Sequence, residues 1–267
     1  MSDPSLAILG CSFPPFSKEI PDVELWLPAT KQATVDALCE ALRERQSARL
    51  IGEPGVGKTC VLRALRLRLG NEGFRLTYCH NATLGRRDFY RQLCQAIGLA
   101  PKATAASLFY ALSSHVQELA TSSVHPVFLL DEAHLLHPDV LGHLHILLNY
   151  EWDSRALLSI VLIGLPELRD RFSLSCFRPL YSRLHARLAS DPVSEADTAE
   201  YVRFRLHRAG CERDLLAADA LSLLHEVSGG VHRDIDRIAS VALRSAAKSK
   251  LKLVTREHVQ AAAKSGA

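Results

Sequence analysis

Gly52-Glu53-Pro54-Gly55-Val56-Gly57-Lys58-Thr59 is the stretch on which the fold of this 267-residue chain turns. It fills each fixed position of the phosphate-cradling pattern G-x-x-x-x-G-K-[ST]. A short apolar run, 48–51, precedes it and suits a buried strand, while 58–69 reads as a helix closed by Gly70. The chemistry requires that placement. A strand delivers the loop, glycines let backbone N–H groups turn inward, and the helix presents its positive N-terminal end to an anion. Lys58 would reach the outer phosphates of a nucleotide and the Thr59 hydroxyl would hold magnesium, with Cys60 next on the first helical turn. The plain alternative is a glycine turn joining strand to helix.

A second motif answers that alternative. Val127-Phe128-Leu129-Leu130 is wholly apolar and ends in Asp131-Glu132. Asp131 is placed to hold magnesium, and Glu132 to polarise an attacking water as a general base. Either acid could instead cap a helix starting near His134; joined to the first motif, the catalytic reading is favoured. The chain lacks an N-K-x-D guanine-reading loop, so ATP is the expected nucleotide. Ser228-Gly229-Gly230 lies far beyond the second motif and reads as a helix stop. Asp131-Glu132-Ala133-His134 spells a helicase box, but two motor domains would not fit in this length.

Apolar runs at 48–51, 74–79, 127–130 and 157–163 alternate with helical patterns at 30–46, 58–69, 88–97 and 105–120. Strands covered on both faces describe an α/β fold, a parallel sheet sandwiched by helices. Beyond Asp191 the patterns are helical (to 209, then 217–227, 233–245 and 256–264), with one short strand candidate at 252–254. Ser194 with Asp197 resembles a helix-capping pair. The expected domains are an N-terminal arm at 1–29 anchored by Phe16 and Trp26, a nucleotide-binding α/β domain at 30–190, and an all-helical lid at 191–267. A formal charge of +3 does not by itself announce a nucleic-acid binder, although arginine outnumbers lysine 24 to 8 and suits phosphate better. Seven scattered cysteines form no C-x-x-C pair, which points to reduced thiols and the cytoplasm. Neither a signal peptide nor a membrane span is expected.

Other residues would complete the site. Arg183 and Arg187, four apart, are expected to share a helix face and are the candidates for an arginine reaching a neighbouring subunit's γ-phosphate. Arg233, opening a lid helix, could close on the nucleotide, or pair locally with Asp234 and Asp236. The run ending Ile163-Gly164-Leu165-Pro166 offers no polar hydrolysis sensor. His134, His137, His143 and His145 crowd one stretch, yet their spacing is poor for a metal.

With these residues in place, the chain resembles AAA+ ATPases of the group holding ExeA-like proteins and the transposition ATPases TnsC, TniB and IstB. The resemblance rests on the two motifs, on Gly164-Leu165-Pro166-Glu167-Leu168, on Ser182-Arg183-Leu184 with Arg187, and on Ser228-Gly229-Gly230-Val231-His232-Arg233-Asp234-Ile235. Leu165 stands where the group often has Gln or Thr, and Val231-His232 where Pro commonly precedes the lid arginine. The resemblance implies a P-loop NTPase fold and an ATP- and magnesium-dependent homo-oligomer on duplex DNA that recruits or activates a transposase, with hydrolysis driving disassembly. It places DNA contacts after the second strand, at Asn81-Ala82-Thr83-Leu84-Gly85-Arg86-Arg87 and Arg91, where Thr83, Arg86, Arg87 and Arg91 suit phosphate. The alternatives are a secretion-associated assembly ATPase of the ExeA type, which would be expected to carry a membrane helix and an envelope domain, and a nucleotide switch that hydrolyses negligibly.

Overall fold

The computed structural model describes residues 8–70, 72–80 and 83–265, and divides the chain into two compact units. One comprises Ala29–Pro54 and Lys58–Ser190; the other gathers the described part of Met1–Pro28, the loop tip Gly55–Gly57, and Asp191–Ala267.

The first unit is built on five parallel strands in the order β2-β3-β4-β1-β5: β1 Ser47–Ile51, β2 Phe74–Cys79, β3 His125–Leu130, β4 Ser159–Gly164 and β5 Leu184–Ala189. Every residue of β1, β3 and β4 is buried, as strands covered on both faces must be. The long helices are α1 Ala29–Arg43, α2 Lys58–Leu69, α3 Arg86–Ala96 and α4 Ala105–Thr121, with shorter helical turns between β3 and β5. Thr104 caps α4, its side chain accepting from the Ser107 N–H at 3.1 Å. Leu93, Leu108, Leu112 and Val116 from α3 and α4 pack with Phe128, Leu130, Ile160 and Leu162 from the sheet.

β5 corrects an expectation. The stretch 178–187 is not one helix: a single turn, Arg178–Tyr181, gives way to the strand, so Arg183 stands in the connecting turn and Arg187 in β5, on no common helix face. β5 is an edge strand paired only with β1, so just one side of its backbone is covered. Its side chains alternate between more covered (Leu184, Ala186, Leu188) and exposed (His185, Arg187, Ala189), and such a period of two is easily overlooked when attention rests on a four-residue spacing.

The second unit holds α5 Glu195–Arg208, α6 Ala218–Ser228, α7 His232–Lys248 and α8 Arg256–Lys264. Ser194 and Asp197 form a reciprocal capping box on α5. The strand candidate at 252–254 reduces to a single parallel bridge, Leu216 to Val254. Leu9, Cys11 and Phe16 of the arm are buried in the same core as Val202, Leu206, Ile238 and Leu243. Arg205, 2 % exposed, ties the arm down. Its guanidinium donates to the carbonyls of Pro15 (2.7 Å) and Ser17 (2.6 Å) and to the Tyr201 hydroxyl, with Asp236 at 3.5 Å. Trp26 packs on Tyr201 with ring centroids 5.3 Å apart. Among the described residues, no helix is long and apolar enough to cross a membrane.

Candidate functional site

The sheet's topology brings the two motifs to one edge. β1 and β3 flank β4 and run out beside its carboxyl end: Ile51 pairs with its last residue, Gly164, and Leu130 with Leu162, two residues earlier. Gly52 and Asp131 therefore leave the sheet at the carboxyl ends of parallel strands, roughly 10 Å apart by strand spacing, where open α/β sheets bind ligands. The Gly52 N–H still donates to the Gly164 carbonyl (3.2 Å), which fixes the exit of the loop.

Gly55 and Gly57 take φ of +84° and +100°, a left-handed conformation that residues with a Cβ adopt at a cost. Val56 between them is fully buried and anchors the turn. Lys58 and Thr59 open α2, so their N–H groups belong to the unsatisfied first turn of a twelve-residue helix. The Lys58 ammonium donates to the carbonyls of Gly52 (2.6 Å) and Glu53 (3.0 Å), which curls it over the loop. Within the second unit, the loop tip meets α7. The Gly55 carbonyl accepts from the Arg233 N–H at 3.3 Å, and a Cβ at position 55 would stand 2.8 Å from that of Arg233. The acids flanking Arg233 have other partners: Asp234 pairs with Arg237 (3.2 Å), and Asp236 accepts from Tyr201 (2.7 Å).

Asp131 is 9 % exposed and both of its oxygens are engaged. Oδ1 accepts from the Glu132 N–H at 2.9 Å, and Oδ2 from the Tyr78 hydroxyl at 2.6 Å. Burial and the Asp131 carboxylate push the Tyr78 phenol up, which keeps it a donor. Glu132 is left-handed (φ 53°), and its half-exposed carboxylate is 3.6 Å from His134 Nδ1. His134 Nδ1 also accepts, at 3.4 Å, from the Leu165 N–H at the end of β4. Arg171 donates to the His134 carbonyl at 2.7 Å and fixes that turn. The polar group beside β4 is therefore His134, reached from β3, and not the residue at position 165. Tyr78 and His134 were both missed as site residues, since their roles follow from which strands are neighbours.

Thr59 and the Asp131 carboxylate are hard oxygen donors of the kind magnesium takes. Among the described residues, no three His, Cys, Asp or Glu side chains converge as a metal cluster. His137 accepts from the Asp139 N–H at 3.2 Å, and His143 shares a 2.6 Å hydrogen bond with the Tyr90 hydroxyl.

The arginine candidates differ in their ties. Arg187 donates to the carbonyls of Leu184 (2.9 Å) and Tyr181 (3.2 Å) and lies 3.9 Å from the centre of the Tyr181 ring. Arg183 reaches both Asp153 oxygens from one nitrogen, at 2.8 Å each, and its Nε is buried with no hydrogen-bond partner among the described residues. Of the expected DNA contacts, Asn81 and Ala82 lie outside the described residues, and Thr83 precedes α3. Asp88 draws on two of the three arginines, Arg87 at 3.4 Å and Arg91 at 3.0 Å.

The pattern of the AAA domain family matches residues 39–172. General secretion pathway protein A of Aeromonas hydrophila is 35 % identical over 240 residues, covering 89 % of this chain and 44 % of that one. The chain thus spans less than half the length of that relative. Among solved structures, Cdc6p of Pyrobaculum aerophilum superposes with a TM-score of 0.73 at 18 % identity, covering 94 % of this chain and 70 % of that one. The Aeropyrum pernix ORC1 protein, solved in complex with DNA, gives 0.67 at 20 %, covering 92 % and 68 %. RuvB of Thermotoga maritima gives 0.58 at 17 %, covering 88 % and 68 %. At these identities the structural likenesses establish the fold.

Proposed function

Because this chain belongs to the AAA domain family, we propose that it is a magnesium-dependent ATPase serving a general secretion pathway. The observation that carries the ATPase reading is the shared sheet edge at which Gly52, Asp131 and Glu132 emerge around β4. In this reading the loop N–H groups and Lys58 hold the phosphates, and Glu132, turned out of the strand line, orients water and takes its proton. Thr59 and Asp131 would hold magnesium, which when bound would offset the negative charge of the phosphates. Tyr78 keeps the Asp131 carboxylate aimed, and His134 ties the turn after β3 to the end of β4. Arg183 or Arg187 serves a neighbouring subunit, and Arg233 reads the loop tip.

The secretion role rests on the 35 % identity to the Aeromonas protein. It is preferred to the transposition reading, and because the alignment spans only 44 % of that relative, a membrane helix missing from the described residues does not weigh against it. Two of the three arginines expected on duplex DNA, Arg87 and Arg91, are also drawn on by Asp88.

Two measurements test the proposal. Glu132→Gln is expected to keep nucleotide binding and lose about 10²- to 10⁴-fold in turnover, the size of a general-base contribution, while Lys58→Ala loses binding itself. Equal turnover by Glu132→Gln and wild type would remove the mechanism. In a deletion strain, wild type is expected to restore protein export and Glu132→Gln to fail. Export untouched by the deletion, together with ATP-dependent retention of duplex DNA, would return the transposition reading.

A further inference from the structure

Trp152 is fully exposed, an unusual place for the side chain with the most apolar surface to hide. Its backbone is unusual as well. Glu151, Trp152 and Asp153 take φ of 47°, 61° and 65°, three successive left-handed residues, none a glycine. Such a turn persists only where its surroundings hold it. Arg155 donates to Glu151 at 2.7 Å, a Tyr150–Arg155 bridge closes the base, and Asp153 holds Arg183. The result lifts an indole clear of the surface beside an arginine already proposed to act across a subunit boundary.

The same unit carries a hollow of about 430 Å³, lined by Arg86, Tyr90, Phe109, Tyr110, His143 and Ile146. Its rings meet edge to face, Tyr90 to Phe109 at 5.6 Å and Phe109 to His143 at 5.5 Å. Tyr110 and Ile146 remain exposed. An aromatic wall with a guanidinium in it suits an indole by edge-to-face and cation–π contact, and the volume lies in the range of pockets that enclose small organic groups. Trp152, being fully exposed, does not occupy the hollow of its own chain.

We propose that Trp152 is the knob, and this hollow the hole, of a head-to-tail contact between copies of this chain. Knob and hole are different surfaces, so the contact is heterologous and repeats into a ring or filament. Seating the indole carries Asp153 and Arg183 to the boundary. The one-nitrogen grip on Arg183 is weaker than a two-nitrogen fork, so a neighbour's phosphates compete well for it. Only this last step rests on the ATPase reading.

Sedimentation of the full chain with ATP and magnesium tests the contact. Trp152→Ser and Ile146→Asp change exposed side chains, and their folding is verified by circular dichroism. Each alone is expected to lose at least tenfold in self-association. Mixed in equal amounts they should form dimers and stop there, since the first keeps its hole and the second its knob. Self-association of Trp152→Ser at the wild-type level, a mixture that stays monomeric, or a monomeric wild type would each overturn the proposal. Turnover of the same samples separates the two readings: association without hydrolysis in the wild type would sink the ATPase assignment and leave the contact standing.

Discussion

Arg205 and Tyr78 show how one side chain can decide a region. Arg205 is buried and serves two carbonyls, a hydroxyl and a carboxylate, so removing it strands the two carbonyls and leaves Asp236 with only the Tyr201 hydroxyl. Arg205→Ala is expected to cost about 3–5 kcal/mol, the usual result of breaking a buried ion pair from one side, and denaturant titration would measure it. Tyr78 aims the magnesium-binding acid without itself touching nucleotide. Tyr78→Phe keeps the ring and removes the donor to Asp131. A several-fold rise in the magnesium concentration needed for half-maximal turnover is the expected outcome, with nucleotide binding in the absence of magnesium unchanged; an unmoved magnesium dependence would refute the role. Arg49, buried in the interior strand β1, has Nε and one terminal nitrogen without a hydrogen-bond partner among the described residues and lies 5.6 Å from the Tyr181 ring centre. Burial pushes its pKa down.

At the scale of elements, the phosphate loop is the most constrained segment. Gly55→Ala meets two obstacles, a positive φ and a Cβ 2.8 Å from that of Arg233. At least a tenfold loss of nucleotide affinity is expected, measured by titration with a fluorescent analogue, and wild-type affinity would mean the loop is free to rearrange. This loop, α2 and β3 were legible in the sequence because their signals are local: glycine spacing, a helix stop, an apolar run ending in acids. The positions of Tyr78 and His134 were not. Tyr78 reaches Asp131 because β2 pairs with β3, and His134 reaches Leu165 because β4 lies next to β3. Register between distant strands is not written in any short window. β5 failed for another reason, since an edge strand half open to solvent carries too few apolar residues to stand out beside two arginines four apart.

At the scale of the molecule, each unit has its own core and its own titrating group shifted by desolvation, with opposite signs. In the sheet unit, burial pushes His125 down from 6.5 to about 4, and its Nε2 lies 2.9 Å from Ser159 Oγ. Its unfolded form binds the extra proton between those values, so the stability it contributes is present above pH 6.5 and is lost as pH falls toward 4. In the helical unit, burial raises Asp236 from 3.8 to about 6, against the pull of Arg205 and Tyr201. There the folded form holds the extra proton, so stability is present below pH 3.8 and is lost as pH rises through 6. Calorimetry at pH 7 and pH 5 is expected to show the sheet transition lowered by acid and the helical one raised. His125→Gln should flatten the first shift and Asp236→Asn the second; transitions that ignore these variants would show that other groups dominate. The arm has a consequence for synthesis. Cys11 and Cys211, whose Sγ donates toward the Leu9 carbonyl at 3.4 Å, stand on opposite sides of the entire sheet unit in the chain. At ribosomal speeds of about 5–20 residues per second, the arm emerges roughly 10–40 s before its partners exist. During that interval Leu9 and Phe16 have no native core to enter, so the nascent arm is a natural client for a chaperone.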